Sequence, residues 1–276
     1  MPRDFRSSLP EGVLPLTSHL GSRPLKALGL NDINESSKDD SGVDKPSEDP
    51  TEGLPESLLK ANERNNLHPY VRPLTLADVD SCVKLETAAF SENERTPRDK
   101  IVYRLTKCPE LSLGLFTTAG PDSAARQAAT SEAGKSEFSE QPEKKAVLLA
   151  HALGARLNSP VVTDESMMLP PNWDTPGQED SQIGHISEAR TVAIHALAVL
   201  PEYQRKGLGK VIVKSYVQRM QHSGAADRMA LLCRDHLIPF YESCGFKNSG
   251  RSEAQKYGGN WNDMTLEFDS STPSSV

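Results

Sequence analysis

The chain has 276 residues, of which 36% are hydrophobic, 25% charged and only 5% aromatic. That is lean for a globular chain, so part of it is expected to add nothing to a core. A net charge of −7 and a pI near 5.6 argue against a partner such as nucleic acid.

No apolar run approaches the ~18 residues of a membrane helix, so no membrane partner is expected. The start, MPRDFRSSLPEG, lacks the apolar stretch of a signal peptide. Cys82, Cys108, Cys233 and Cys244 lie far apart with no C-x-x-C pair. They read as buried thiols of a cytoplasmic protein in a reducing compartment.

Residues 1–66 carry 8 Lys/Arg against 12 Asp/Glu and are crowded with Ser, Pro, Gly and Asp. Such a stretch buries too little apolar surface to offset its ordering entropy and reads as a disordered acidic tail. Residues 270–276 read the same way. Between them, 67–269 forms one domain, interrupted by a low-complexity polar island at 119–145. A further polar stretch, about 159–188, is richer in apolar residues, among them Met167, Met168, Leu169 and Trp173.

Thr75 followed by Asp78 is a capping-box-like helix start, with Leu76, Val79, Val83 and Phe90 near helical spacing. Thr96-Pro97-Arg98-Asp99 opens a second helix, with Ile101, Leu105 and Cys108 on one face. Leu111–Thr117 and Ala146–Leu157 read as strands flanking the island, which makes the island an enlarged hairpin loop. Thr191–Leu200 is almost wholly apolar, as in a strand buried on both faces. A helix follows from Gly207, then a strand at Arg228–Leu232 and a short helix at Pro239–Ser243 stopped by Gly245. Asp263–Phe268 alternates like a closing strand. The sum is a single α/β domain with a mixed central sheet.

The strand-to-helix junction LAVLPEYQRKGLGKVIV, residues 197–213, carries the chemistry. Gly207 and Gly209 sit where a buried strand turns into a helix, and Arg205, Lys206 and Lys210 add positive charge. Glycine permits close backbone approach and a helix N-terminus attracts phosphate, so this is a candidate pyrophosphate cradle. The Rossmann and P-loop patterns are both absent. On the glycines alone, a plain tight turn fits nearly as well.

Gln204-x-x-Gly207-x-Gly209 in this setting resembles the acetyl-CoA motif of the GCN5-related N-acetyltransferase (GNAT) superfamily. The blocks Cys108–Phe116, His195–Val199 and Cys233–Phe246 are similar to its arylalkylamine, serotonin-type branch. The resemblance implies a mostly antiparallel central sheet flanked by helices, with acetyl-CoA as co-substrate. It also implies that the backbone of Leu197, Ala198 and Val199 pairs with the pantetheine arm. Gln204, Arg205, Lys206, Gly207, Leu208, Gly209 and Lys210 would then surround the pyrophosphate, and Tyr241 would reach the coenzyme sulfur.

The chemistry agrees with that assignment. An alkylamine, with a pKa around 10 by analogy with Lys, must lose a proton before attacking a thioester. The leaving thiolate needs a proton or hydrogen bond, which a phenol at short range supplies. His195 offers a base or an anchor for a water chain; a buried neutral histidine is the alternative. In the branch a second histidine stands where this chain has Ala193, so a gap beside His195 is expected.

The positions matching the branch's aromatic acceptor pocket are Phe90, Trp261 and, less closely, Pro97, with Leu197 on the strand; ordinary packing is the alternative for the two rings. Glu94, Asp235 and Asp263 would add negative potential for a cationic amine. The remaining histidines have no metal-ligand spacing, and no metal is assigned.

The expected activity is acetyl transfer to a small primary amine: an arylalkylamine first, with polyamines as the alternative. A protein N-acetyltransferase and a non-catalytic coenzyme-binding regulator are further rivals.

Overall fold

The computed structural model describes residues 67–136, 140–175 and 182–268. The tails at 1–66 and 270–276 lie outside the described residues.

The chain enters on β1 (Tyr70–Pro73) and a 3-10 turn (Leu76–Asp78) leading into α1 (Val79–Ala89). The Asp78 carboxylate accepts the Thr75 backbone N–H at 2.9 Å, as a capping box requires, and also takes a bidentate pair from Arg72. Helix α2 (Arg98–Lys107) begins one residue after Pro97 and buries Ile101 and Leu105; Cys108, just past its end, is buried as well. Strands β2 (Ser112–Ala119) and β3 (Lys145–Leu157) form an antiparallel hairpin, as expected from the residues flanking the island. Then come β4 (Thr191–Val199), α3 (Leu208–Ser223), β5 (Arg228–Cys233), α4 (Ile238–Glu242), β6 (Lys247–Arg251) and β7 (Asn262–Glu267).

The seven strands form one sheet in the order β1-β2-β3-β4-β5-β7-β6, antiparallel except for the β4–β5 pair. Helices α1, α2 and α3 pack against its centre. The main core joins Leu85, Ile101, Leu148, Leu153, Ile212 and Tyr216. Gly154 in β3 permits the closest approach. A Cβ there would stand 2.1 Å from the Tyr216 hydroxyl, which itself donates to Leu111 O.

The island between β2 and β3 is more than a solvated loop. Ala125 and Ala128 join the main core, and Thr130 Oγ1 donates to Leu148 O at 2.7 Å in a buried position. Its alanines are small enough to pack under a polar surface, which its composition hides. The β3–β4 connection also packs inward: Val162 and Met167 are buried, and Trp173 meets Tyr103 edge-on.

Candidate functional site

The centre of the sheet opens where its two parallel strands part. Strand β4 pairs with β5 only from Thr191↔Arg228 to Ile194↔Leu231. Beyond Ile194, β4 keeps its β3 partner but has none on the β5 side, while β5 continues along β7. The β4 backbone from His195 to Val199 thus borders a cleft between diverging strands.

His195 sits at an irregularity in that strand. Ile194 pairs with Gly154 and Ala196 with Leu153, so His195 is an extra residue with no partner on β3. A β-bulge of this kind re-aims a side chain. Simple alternation fails across the bulge, so Ala193 and His195 need not share a strand face, and the space beside His195 is the cavity described next. Ala193 is fully buried in a small cluster with Leu157, Val162 and Met167, whose side chains fill the space around it.

His195 lines a cavity of about 270 Å³ together with Phe90, Leu197, Tyr241 and Trp261. Both of its ring nitrogens are buried without a hydrogen-bond partner among the described residues. Burial first, then the charges of Arg104 and Lys100, hold its pKa well below the usual histidine value. The ring is therefore a neutral imidazole at pH 7.

Tyr241 is placed on the same cavity by α4, packed edge-on against Phe240 and Phe246. Burial raises its phenol pKa, and the neighbouring Cys233 and Cys244 add to the rise. Its proton stays on at neutral pH. Cys233 is buried as well, its thiol pushed up to about 11 by burial. All four cysteines are free and buried.

The acceptor side is aromatic and charged. Trp261 donates from Nε1 to Lys256 O at 2.8 Å, and the Arg234 guanidinium lies over its ring, 3.5 Å from the centroid. Arg234 also reaches Glu94 at 3.0 Å, which ties the rim to the loop after α1. Pro97 is exposed and is not part of the cavity wall. Asp235 and Asp263 are also off that wall. Asp235 is engaged by Arg251 and Asn262, whereas Asp263 is buried with its pKa raised by burial.

The start of α3 is turned to solvent. Gly207 has φ 83° and Arg205 φ 62°, a left-handed turn that brings the strand end round to the helix. Gln204 Nε2 donates to Val199 O at 3.0 Å and anchors that turn to the end of β4. Arg205, Gly207 and Lys210 are exposed, while the Leu208 side chain is buried and offers only its backbone. A Cβ on Gly209 would stand 3.4 Å from the Phe240 ring. Free strand backbone, a cationic turn and an open helix N-terminus fit a long ligand with a phosphate end.

A GNAT acetyltransferase domain family matches residues 176–268. Serotonin N-acetyltransferase of Mesocricetus auratus is 30% identical over 182 residues, 65% of this chain and 68% of that protein. The same enzyme of Macaca mulatta is 28% identical over 201 residues, 71% and 78% of the two chains. The chain belongs to the GNAT acetyltransferases, in their arylalkylamine branch. Among solved structures, the GNATL loading domain of CurA from Lyngbya majuscula superposes with a TM-score of 0.48 at 14% identity, covering 72% of this chain and 97% of that one.

As a GNAT acetyltransferase, the protein is an N-acetyltransferase with acetyl-CoA as its co-substrate. No helix is long and apolar enough to cross a membrane, and no group of three or more metal-ligating side chains comes together, both among the described residues.

Glu86, Arg104, Tyr257 and Arg234 are among the residues of this acetyltransferase's cavity that escaped the reading of its sequence. Glu86 is buried on α1; its Oε1 lies 2.7 Å from His151 Nε2 and its Oε2 accepts the Thr96 N–H at 2.7 Å. Arg104 is buried on α2 and has no hydrogen bond or ion pair from its guanidinium among the described residues. A charged residue one position before buried Leu105, on the cavity side of a helix, was the available signal.

Proposed function

We propose that this GNAT protein acetylates the primary amine of a small arylalkylamine by direct transfer, with no acyl-enzyme. The observation that carries this reading is the convergence of His195 and Tyr241 on one aromatic-lined cavity at the parting of β4 and β5. When bound, acetyl-CoA supplies an activated acetyl group as a thioester. The β4 backbone from Leu197 to Val199 would hold its arm, and Arg205, Lys206, Gly207, Gly209 and Lys210 its pyrophosphate. Gln204 supports that turn from behind through Val199.

His195 accepts the proton that the ammonium must lose, either directly or through a water. Its neutral state leaves a ring nitrogen free for that proton. Tyr241 donates to the departing sulfur. Phe90, Leu197 and Trp261 enclose the aromatic part of the acceptor.

Polyamines are the second reading, favoured by the Glu94 carboxylate at the rim of the cavity. An amine panel that follows release of coenzyme A thiol tests the proposal. Turnover of tryptamine, serotonin or phenethylamine supports it. Turnover of spermidine alone replaces it with the second reading. Calorimetric binding of acetyl-CoA without release of thiol by any amine would make the protein a coenzyme-binding regulator.

A further inference from the structure

Arg234 follows directly on the last residue of β5, Cys233, and precedes a 3-10 turn at Asp235–Leu237. Its guanidinium lies at the rim of the cavity, 3.5 Å from the centroid of the Trp261 ring. Nη2 donates to Glu94 Oε1 and to Tyr257 O, both at 3.0 Å, and Nη1 donates to Gly259 O. Glu94, Arg234, Tyr257 and Trp261 all line the cavity wall.

The groups around that guanidinium make a seat for a cation. A carboxylate, two backbone carbonyls and an indole face converge on one position. The indole N–H is turned to Lys256 O at 2.8 Å, so these groups meet the seat as acceptors. A primary ammonium has three N–H donors to set against three such oxygens, and tryptophan is the best aromatic partner for a cation. The protein fills this seat with its own arginine. Glu94, the acid at the rim that would attract a second ammonium, is already paired with Arg234.

We infer that Arg234 is a specificity-determining residue, which occupies the seat for a second cation and so confines the acceptor to a single ammonium. This inference rests on the arylalkylamine reading above and deepens it. The reacting ammonium sheds its proton beside His195 on the same wall. A second ammonium, with a pKa around 10, keeps its charge and meets the guanidinium as a like charge whose counter-ion is taken. The same contacts clamp a loop in which Tyr257, Gly258, Gly259 and Asn260 all have positive φ. A clamp alone would act on every acceptor alike, whereas a filled seat acts on the second charge.

The test compares kcat/KM within two matched pairs, using the full chain and acetyl-CoA: phenethylamine against its para-aminomethyl derivative, and hexylamine against 1,6-diaminohexane. The wild-type protein should prefer the monoamine of at least one pair by roughly 10–100-fold, the scale of a lost cation–π contact and ion pair. Arg234→Gln vacates the seat and should bring that ratio toward one or reverse it. Arg234→Lys keeps a cation there and should retain most of the preference. A ratio measured within one sample is independent of the fraction of molecules that fold. If Arg234→Gln yields no folded protein, Glu94→Gln decides the matter. It leaves the guanidinium uncompensated and should sharpen the preference for the monoamine, and a weakened preference overturns the inference.

Equal kcat/KM for both members of both pairs in the wild-type protein overturns the inference while leaving the arylalkylamine reading intact. An equal loss for monoamine and diamine in Arg234→Gln, with the ratio unchanged, overturns it too and makes Arg234 a loop clamp. Turnover of spermidine with neither phenethylamine nor tryptamine overturns both together.

Discussion

Glu86 and His151 face each other across the buried seam between α1 and β3, Oε1 to Nε2 at 2.7 Å, with both side chains sealed from solvent. The same carboxylate holds the Thr96 N–H, so one side chain joins helix, sheet and the loop that opens α2. His151→Ala should cost about 3–5 kcal/mol, because it strands a buried acceptor that cannot reach water. Urea denaturation of the two single variants and the double variant measures the coupling. Additive losses would show that the two groups do not depend on each other.

The Gly154 contact makes a second prediction about the same seam. A methyl at Gly154 would stand 2.1 Å from the Tyr216 hydroxyl and 2.8 Å from Leu111 O. Gly154→Ala should therefore destabilise the fold by about 1–3 kcal/mol through overpacking. In a Tyr216→Phe background the added methyl loses its nearest clash, so the incremental cost should shrink. An equal cost in both backgrounds would place the strain on the Leu111 and Ala193 carbonyls instead.

At the cradle, Gly207 and Gly209 should separate in their effects. Gly207 holds φ 83°, so Gly207→Ala should lose about 1 kcal/mol of stability as well as coenzyme affinity. Gly209 is not left-handed, and a Cβ there makes only a close contact with Phe240. Gly209→Val should thus raise the KM for acetyl-CoA far more than it lowers Tm. Parallel losses in both quantities would make Gly209 a packing glycine only.

How far the sequence could be read follows from which elements carry periodicity. Strands β2 to β5 and β7 and the three longer helices are legible because each has an apolar face or a fully apolar run. Strand β1 has four residues ending in Pro73, and β6, KNSGR, is exposed throughout; both are edge strands with no hydrophobic signal. At the site, the motif residues His195, Leu197 and Tyr241 and the loop aromatics Phe90 and Trp261 meet on one cavity. Pro97 does not, since α2 starts just after it and leaves it on the surface. The bulge at His195 depends on register with β3, and the isolation of Arg104 depends on what does not reach it. Neither property is local in sequence.

The proton chemistry yields the sharpest prediction. Tyr241→Phe removes only the hydroxyl, so acetyl-CoA binding should survive while kcat falls ~10²–10⁴-fold. An unchanged kcat at saturating amine would assign the acid to another group or to solvent. For His195, burial and the Arg104 and Lys100 charges depress the folded-state pKa below the unfolded value. The unfolded chain then binds the extra proton as pH falls through about 6.5, so this residue's contribution to stability is present above that pH and is lost below it.

The same depression sets the activity profile. If His195 is the base, the acidic limb of kcat/KM that it controls lies well below 6.5, and His195→Ala abolishes that limb as well as lowering the rate. Arg104→Met removes one of the two cations and should shift the limb upward, toward the ordinary histidine value. A wild-type limb that stays in place in both variants belongs to the amine substrate. His195 would then be a neutral side chain that shapes the cavity at the bulge.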